Sequence, residues 1–564
     1  MTELPSPPAP ANQGAPKSPA SSTRGGFAVL VAAGILLSRL AGLIREKVFA
    51  HYLGDSQAAG AFKAALRIPN FLQNLFGEGV LSASFIPVYS RLLAEKDEET
   101  AGRVAGAVAS LLTLVVGVIV ALSLLATPLL VRLIAPGFDG ELRELTIRIV
   151  RILFPGIGLL VLSAWCLGIL NSHRKFFISY LAPVFWNMAM IMTLIVFGAR
   201  LAQDSLAIAL AWGTVAGCVL QFGVQVPFVL RYARSVKFSL DTSLAPVRVV
   251  LRNLVPVMVS RGVVQMSAFI DEMIASLLGH AAVASLSYAQ TIYLLPISLF
   301  GMSVAAAELP AMSGEVGSQE EIFAKLRERV NKGLRQIAFF VIPSVIAFIF
   351  IGDLLVAALY QSGRFGPEQT RYVWYILIGS TAGLLVATLG RIYSSTFYAL
   401  RDTRTPLRFA IIRVVLTGIL GYTFAFPLRP LLLELMMQMG VRMPQIEGGA
   451  KALGAIGLTA ASGLAGWVEF YLLKRALNRK IGTTALPLGF QLRLWGAATV
   501  SAVFSVLAHR VISSRALPAL LLHHVVIAGI VATIFGLGYF ALTMGLGIPE
   551  ARAVLGRFGR FKRS

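Results

Sequence analysis

Apolar runs of about 18 to 25 residues recur along nearly the whole chain, each long enough to cross the hydrocarbon core of a bilayer as a helix. Inside lipid every backbone N–H and C=O must find a partner within the spanning structure, which leaves α-helices or a closed barrel. Continuous apolar runs of this length, without strict alternation, read as helices. They fall at about 27–53, 58–93 with a break near Pro69 to Gly79, 103–135, 143–170, 176–200 and 205–232. A second group follows at about 248–279, 282–313, 322–352, 369–400, 405–437 and 449–474, and two more at about 488–510 and 517–546. The expected fold is an all-α polytopic membrane protein of about 14 transmembrane helices. Composition agrees, with 56% apolar and only 14% charged residues, and no stretch is left for a soluble domain.

A net charge of +23 would suggest nucleic acid in a soluble protein, so the placement of Lys and Arg decides its meaning. They gather in alternate loops: Lys17 and Arg24; Arg91, Lys96 and Arg103; Arg174 and Lys175; Arg231 to Arg252; Lys325 to Arg335; Arg401 to Arg408; Lys474 to Lys480; and the tail Arg552 to Arg563. About thirty basic residues lie on that side and about ten on the other, the bias that marks the cytoplasmic face. Both termini are expected in the cytoplasm, and the partners of this charge are anionic lipid headgroups, with no nucleic acid. Cys166 and Cys218 both sit in apolar helices, which excludes a disulfide framework. Residues 1–26, rich in Pro, Ser and Ala, read as a disordered cytoplasmic extension, and 548–564 as a basic cytoplasmic tail. The first apolar segment is too long for a signal-peptide core and carries Arg39 and Arg45, so it reads as a retained helix.

An internal repeat divides the long array. Pro69, Gly77, Val80, Ala83, Pro87 and Ser90 in the second span are echoed by Pro296, Gly301, Val304, Ala307, Pro310 and Ser313 in the eighth, about 225 residues on. An even number of crossings separates the two, so the halves share one orientation. The expected organisation is an N-lobe at 27–235, a C-lobe at 246–476, and a final helix pair at 486–547. Proline and paired glycines in the repeated segment are the places where such helices can bend.

Ionisable side chains within a span cost several kcal/mol unless they face protein or water, so each is a functional candidate. In the second helix Lys63, Arg67, Asn70, Asn74 and Glu78 follow at steps of four, three, four and four, which is one helical face. The first helix adds Arg39, Arg45, Glu46 and Lys47. Cations exceed carboxylates here, and guanidinium forks match phosphate oxygens through paired hydrogen bonds, so this surface is expected to bind an anion. The seventh helix carries Arg261, Gln265, Asp271 and Glu272, followed on the eighth by Gln290, Thr291 and Tyr293. Asp271 and Glu272 are adjacent and cannot share one face; they are the candidates for coupling to a cation. Glu308, Arg391 and Arg413 are further isolated charges. No phosphate-gripping glycine loop, zinc-type histidine spacing or catalytic constellation is present, so neither an enzyme nor a metal site is expected.

Several stretches together carry a family resemblance: Ser38-Arg39, Arg45-Glu46, Arg67-Ile68-Pro69-Asn70, Phe76-Gly77-Glu78-Gly79, Ala135-Pro136-Gly137-Phe138, Leu170-Asn171-Ser172, Leu359 to Phe365, and Phe397 to Pro406. Over about residues 27 to 550 the sequence resembles the MurJ/MviN family of bacterial lipid II flippases, in the MOP exporter superfamily. The resemblance implies two six-helix parallel-repeat lobes around a V-shaped cationic cavity, with the last two helices forming a groove for a polyprenyl tail. It also implies a location in the bacterial inner membrane and a cargo of undecaprenyl diphosphate bearing a disaccharide pentapeptide. Export to the periplasmic leaflet would be by alternating access, with no cofactor beyond a coupling cation or the membrane potential, and with cell-wall synthesis machinery as a further partner. The family's first-helix cavity arginines map onto Arg39 and Arg45. Gly60, Gln73 and Ser362 depart from the family pattern, and the eighth-helix arginine is replaced by Thr291, after Gln290; Arg261 is expected to supply that charge. A flippase for another polyprenyl-linked glycan, a multidrug exporter of the same superfamily and a non-transporting scaffold are the alternatives.

Overall fold

The computed structural model describes residues 21–315, 317–514 and 524–554, with side chains excepted at 21–33, 35, 260, 261, 263, 264 and 514. The first group of long helices is Ser21–Leu53 (α1), Gln57–Phe76 (α2), Glu98–Ile134 (α3), Gly140–Ser172 (α4), Phe176–Phe197 (α5) and Gln203–Tyr232 (α6). The second is Ala245–Leu278 (α7), His280–Ser313 (α8), Gln319–Phe350 (α9), Pro367–Ala399 (α10), Arg404–Ala425 (α11) and Gly449–Ile481 (α12). Leu488–Ser514 (α13) and His524–Gly545 (α14) complete the series. Among the described residues eleven of these are long and apolar enough to cross a membrane. The other three, α1, α2 and α7, are 33, 20 and 34 residues long, and with the eleven they make a sum consistent with the expected fourteen. The chain is a multi-pass, all-helical membrane protein; its sole β-type pairing among the described residues is an isolated bridge between Ser362 and Phe365.

Local chemistry sets the helix ends. The Ser56 hydroxyl accepts from the Ala59 N–H at the start of α2, Asp97 accepts from Thr100 N–H at the start of α3, and Ser318 and Glu321 form a reciprocal capping box on α9. Of the extension expected at 1–26, residues 1–20 lie outside the described residues and 21–26 already belong to α1. In the tail expected at 548–564, residues 555–564 likewise lie outside. The span read as 405–437 is two helices, because α11 stops at Ala425 and a separate helix runs Arg429–Gln438. Pro427 is the cause: its ring pushes the preceding Phe426 out of the helical region, to φ −120° and ψ −75°.

The repeated segment is irregular in both halves. After α2 the backbone breaks at Gly77, and short helices Glu78–Ser84 and Ile86–Ala94 follow. A Cβ at Gly77 would collide with the Gln73 carbonyl oxygen, so a side chain would force the break apart. At the equivalent place in α8 the helix widens to a π-helical turn over Ile297–Met302, directly after Pro296.

In the first half α4 packs on α2 and α6, and α5 on α1 and α6; in the second α10 packs on α9 and α12, and α11 on α12. The pair α13 and α14 leans on α9 and on the helix Gly352–Tyr360. Helix α7 belongs to both halves. Val247 and Val250 near its start are buried in one apolar cluster with Val104 and Val108 of α3, whereas its later turns pack on α8 and α11.

Candidate functional site

Of the charged residues singled out in α1 and α2, Arg45, Glu46, Lys63 and Arg67 form one cluster, and α7 and α8 join them. Glu46 is the centre: it accepts from Arg45 at 2.7 Å and from the Lys63 ammonium at 2.5 Å. Lys63 is buried, with its ammonium over the rings of Phe49 at 4.4 Å and Tyr288 of α8 at 5.2 Å. One turn further along α2, Arg67 reaches across to the second half. Its Nε pairs with Glu272 of α7 at 3.1 Å and its Nη2 donates to Gln290 of α8 at 2.7 Å. Three cations therefore stand within reach of two carboxylates, one from each half of the molecule. An ion pair out of water holds only when geometry and added hydrogen bonds offset desolvation, which is what the ring faces and Gln290 supply.

Two cavities flank this cluster. In the first half a cavity of about 320 Å³ is lined by Ser38, Gly42 and Arg45 of α1, Gln73 of α2, Glu78, and polar residues of α4, α5 and α6. The Arg45 guanidinium lies 4.9 Å from the Trp186 ring centre in this wall. In the second half a smaller one, about 120 Å³, is lined by Asp271, Gln290, Tyr293, Arg413 and Thr459 among others. Asp271 Oδ1 is buried there with no hydrogen-bond partner, and Arg413 pairs with Glu469 at 3.2 Å.

The sequence-derived residues are thus distributed unevenly. Arg45, Lys63 and Arg67 share the cluster. Lys63 is enclosed by its pair with Glu46 and does not line either cavity described above, unlike the open cationic face the spacing suggested. Glu78 lies beyond the break at Gly77, at the cavity rim, so the five-residue face is not one continuous helix. Asn70 is half-buried and Asn74 exposed on the last turns of α2. Arg39 is exposed, one residue from Ser38 in the cavity wall. Arg261 falls in α7, but its side chain lies outside the described residues. Asp271 and Glu272 do part company as adjacent helical residues must: Asp271 faces the second-half cavity and Glu272 holds Arg67. Sequence reading did not find the partnership of Arg67 with Glu272, nor the amide wall of the first cavity, built from Gln221, Gln225 and Asn187. Gln221 and Gln225, four apart in the apolar middle of α6, were the available signal.

At the end of the molecule where α1 finishes, the halves are stitched by hydrogen bonds. Lys47 donates to the Ala358 carbonyl at 2.8 Å, the Arg364 N–H to the His51 carbonyl at 2.9 Å, Tyr288 to the Gly54 carbonyl at 2.7 Å, and Gln369 to Asp55 at 3.2 Å. Burial raises the Asp55 carboxyl above its ordinary range, against the opposing pull of Gln369. At the opposite end Asp402, between α10 and α11, is bound by Lys480 at 2.6 Å and by the Thr405 N–H and hydroxyl. Partial burial acts to raise its carboxyl, but these bonds outweigh burial and bring it down to about 2. Among the described residues no group of three or more His, Cys, Asp or Glu is placed to hold a metal.

Comparison with known proteins places this arrangement. The family model for lipid II flippase MurJ matches residues 49–528. The chain is 30% identical over 494 residues to a probable lipid II flippase MurJ of Rhizobium tropici, covering 86% of each chain. It is 31% identical over 396 residues to the lipid II flippase MurJ of Burkholderia cenocepacia, covering 69% of this chain and 76% of that one. A solved structure of lipid II flippase MurJ in an inward closed conformation shares the fold, with a TM-score of 0.71 and 23% identity over 91% of this chain and 98% of that one. The chain therefore belongs to the MurJ lipid II flippase family.

Proposed function

We propose that this protein carries lipid II, a polyprenyl diphosphate bearing a disaccharide pentapeptide, from the cytoplasmic to the periplasmic leaflet of a bacterial inner membrane by alternating access. The observation that carries this reading is Arg67: a guanidinium at the junction of the two halves, held by one carboxylate and one amide from the opposite half. A diphosphate entering there would take over the hydrogen bonds now made to Glu272, since phosphate oxygens suit the same fork. Arg39 and Arg45, on the α1 side, and Arg261 on α7 are assigned to the rest of the anion, with Asn70, Asn74 and Glu78 along its path. Both termini are cytoplasmic in this scheme, as the loop charges require. No bond of the cargo is made or broken. The return of the empty carrier is driven by the membrane potential or by a cation at Asp271; one elementary charge crossing 100 mV corresponds to about 2.3 kcal/mol.

The test is complementation of a strain depleted of its essential lipid II flippase, reading exposure of lipid II on the outer leaflet. Growth and outer-leaflet lipid II are expected with the wild-type chain, and loss of both with Arg39→Ala or Arg67→Ala. A normally inserted wild-type protein that leaves lipid II inside overturns the reading. Full complementation by Arg261→Ala would remove that residue from the site.

A further inference from the structure

We propose that the first-half cavity is a carbohydrate subsite, which takes a sugar ring of the cargo headgroup while the neighbouring arginines take the diphosphate; this rests on the flippase reading above. The walls of the cavity given by α4, α5 and α6 carry neutral polar groups set among apolar ones. Gln221 Nε2 donates to Ser163 Oγ at 3.0 Å, and Ser163 donates on to Gln225 Oε1 at 2.8 Å, all three side chains being buried. That relay uses one amide hydrogen of Gln221 and the carbonyl of Gln225, so the Gln221 carbonyl and the Gln225 amide remain for a ligand. Asn187 is only 5% exposed; its amide donates to the Pro183 carbonyl at 2.9 Å, and its Oδ1 is buried without a partner in the same wall. A buried acceptor left unmade is costly, and a ligand hydroxyl is the group that would satisfy it.

Charge sorts the ligand by part. The charged residues of this cavity, Arg45 and Glu78, come from α1 and from the segment beyond Gly77, while the α4, α5 and α6 walls offer amides and hydroxyls. A phosphate or a peptide carboxylate would be drawn to the guanidinium; neutral hydroxyls and amides match the rest. Trp186 adds a flat ring to the wall, with the Arg45 guanidinium over it, so a ligand bound to Arg45 lies close to the indole. At about 320 Å³ the space stands at the small end of ligand sites, enough for a ring and too small for the whole headgroup.

The test compares equilibrium binding of two lipids to the purified full chain: polyprenyl diphosphate carrying its sugars, and the same lipid without them. The wild type is expected to prefer the sugar-bearing lipid, and Gln225→Leu and Asn187→Leu to shrink that preference about tenfold while leaving affinity for the sugarless lipid in place. Equal weakening of both lipids, or an unchanged preference, overturns the subsite. The wild-type fluorescence gives a second readout that does not depend on those variants. Quenching by the sugar-bearing lipid beyond that caused by the sugarless one, lost in Trp186→Phe, supports the subsite, and identical quenching by both lipids overturns it. A wild-type chain that binds neither lipid overturns the flippase reading itself, which separates the two failures.

Discussion

Glu46 shows how a single carboxylate can decide the state of its neighbours. It is the sole carboxylate paired with Lys63 among the described residues, and that lysine is buried against two aromatic rings. Glu46→Ala leaves the ammonium without a counter-charge, and an unpaired buried charge costs about 3–5 kcal/mol. The expected result is a strong fall in the thermal midpoint of the detergent-purified protein, largely recovered in the double variant Glu46→Leu with Lys63→Met. A single variant as stable as the wild type would show that Lys63 finds another anion. At Arg67 the geometry of the fork is what matters, because two of its nitrogens serve two different residues of the second half. Arg67→Lys keeps the charge but offers a point donor, so transport should fall at least about tenfold with little loss of stability. Near-normal export of lipid II by Arg67→Lys would mean that charge alone suffices. The cations were legible in the sequence because charge in lipid is expensive. The pairing of Arg67 was not, since Glu272, although named as a charge, stands 205 residues away and only folding brings the two together.

Elements were read as well as their apolar lengths allowed. Long runs gave the helices, but an apolar run passes through a kink without a change of hydropathy, which is why the end of α11 before Pro427 was missed. The amide wall was passed over for a similar reason: the spacing of Gln221 and Gln225 was there to see, but with Asn187 they lower the hydropathy of α5 and α6 too little to stand out beside arginine. Caps, by contrast, are local and testable. Ser318→Ala removes one arm of the capping box at α9 and should cost about 1 kcal/mol, read as a lower unfolding midpoint. No shift in that midpoint would place the helix start elsewhere. The Asp402 clamp makes a prediction in pH. Its folded carboxyl lies near 2, below the ordinary value of about 3.9, so its contribution is complete above that ordinary value and is lost as pH falls through about 2. Asp402→Asn should therefore flatten the acid limb of the stability profile below about pH 4, and an unchanged limb would refute the clamp.

At the scale of the whole molecule the two halves approach closely at one end. A Cβ at Gly60 of α2 would lie 2.6 Å from the Cβ of His280 and 2.8 Å from its carbonyl oxygen, at the start of α8. Gly60→Leu should hold α2 and α8 apart, lengthening the distance between probes placed on either side of that seam and impairing export. Probe distances equal to those of the wild type would sink this expectation. Of the bonds that stitch the same end, three use main-chain carbonyls of Ala358, His51 and Gly54 as acceptors. Acceptors of that kind are present whatever side chain is attached to them. On the acceptor side the seam can consequently tolerate drift in its sequence and still close in one register, while Lys47 and Tyr288 must stay as donors. Because several such bonds share one boundary, they must let go together, and a half-parted boundary would be sparsely populated. Under alternating access, an all-or-none release of this kind would keep the two sides from opening at once.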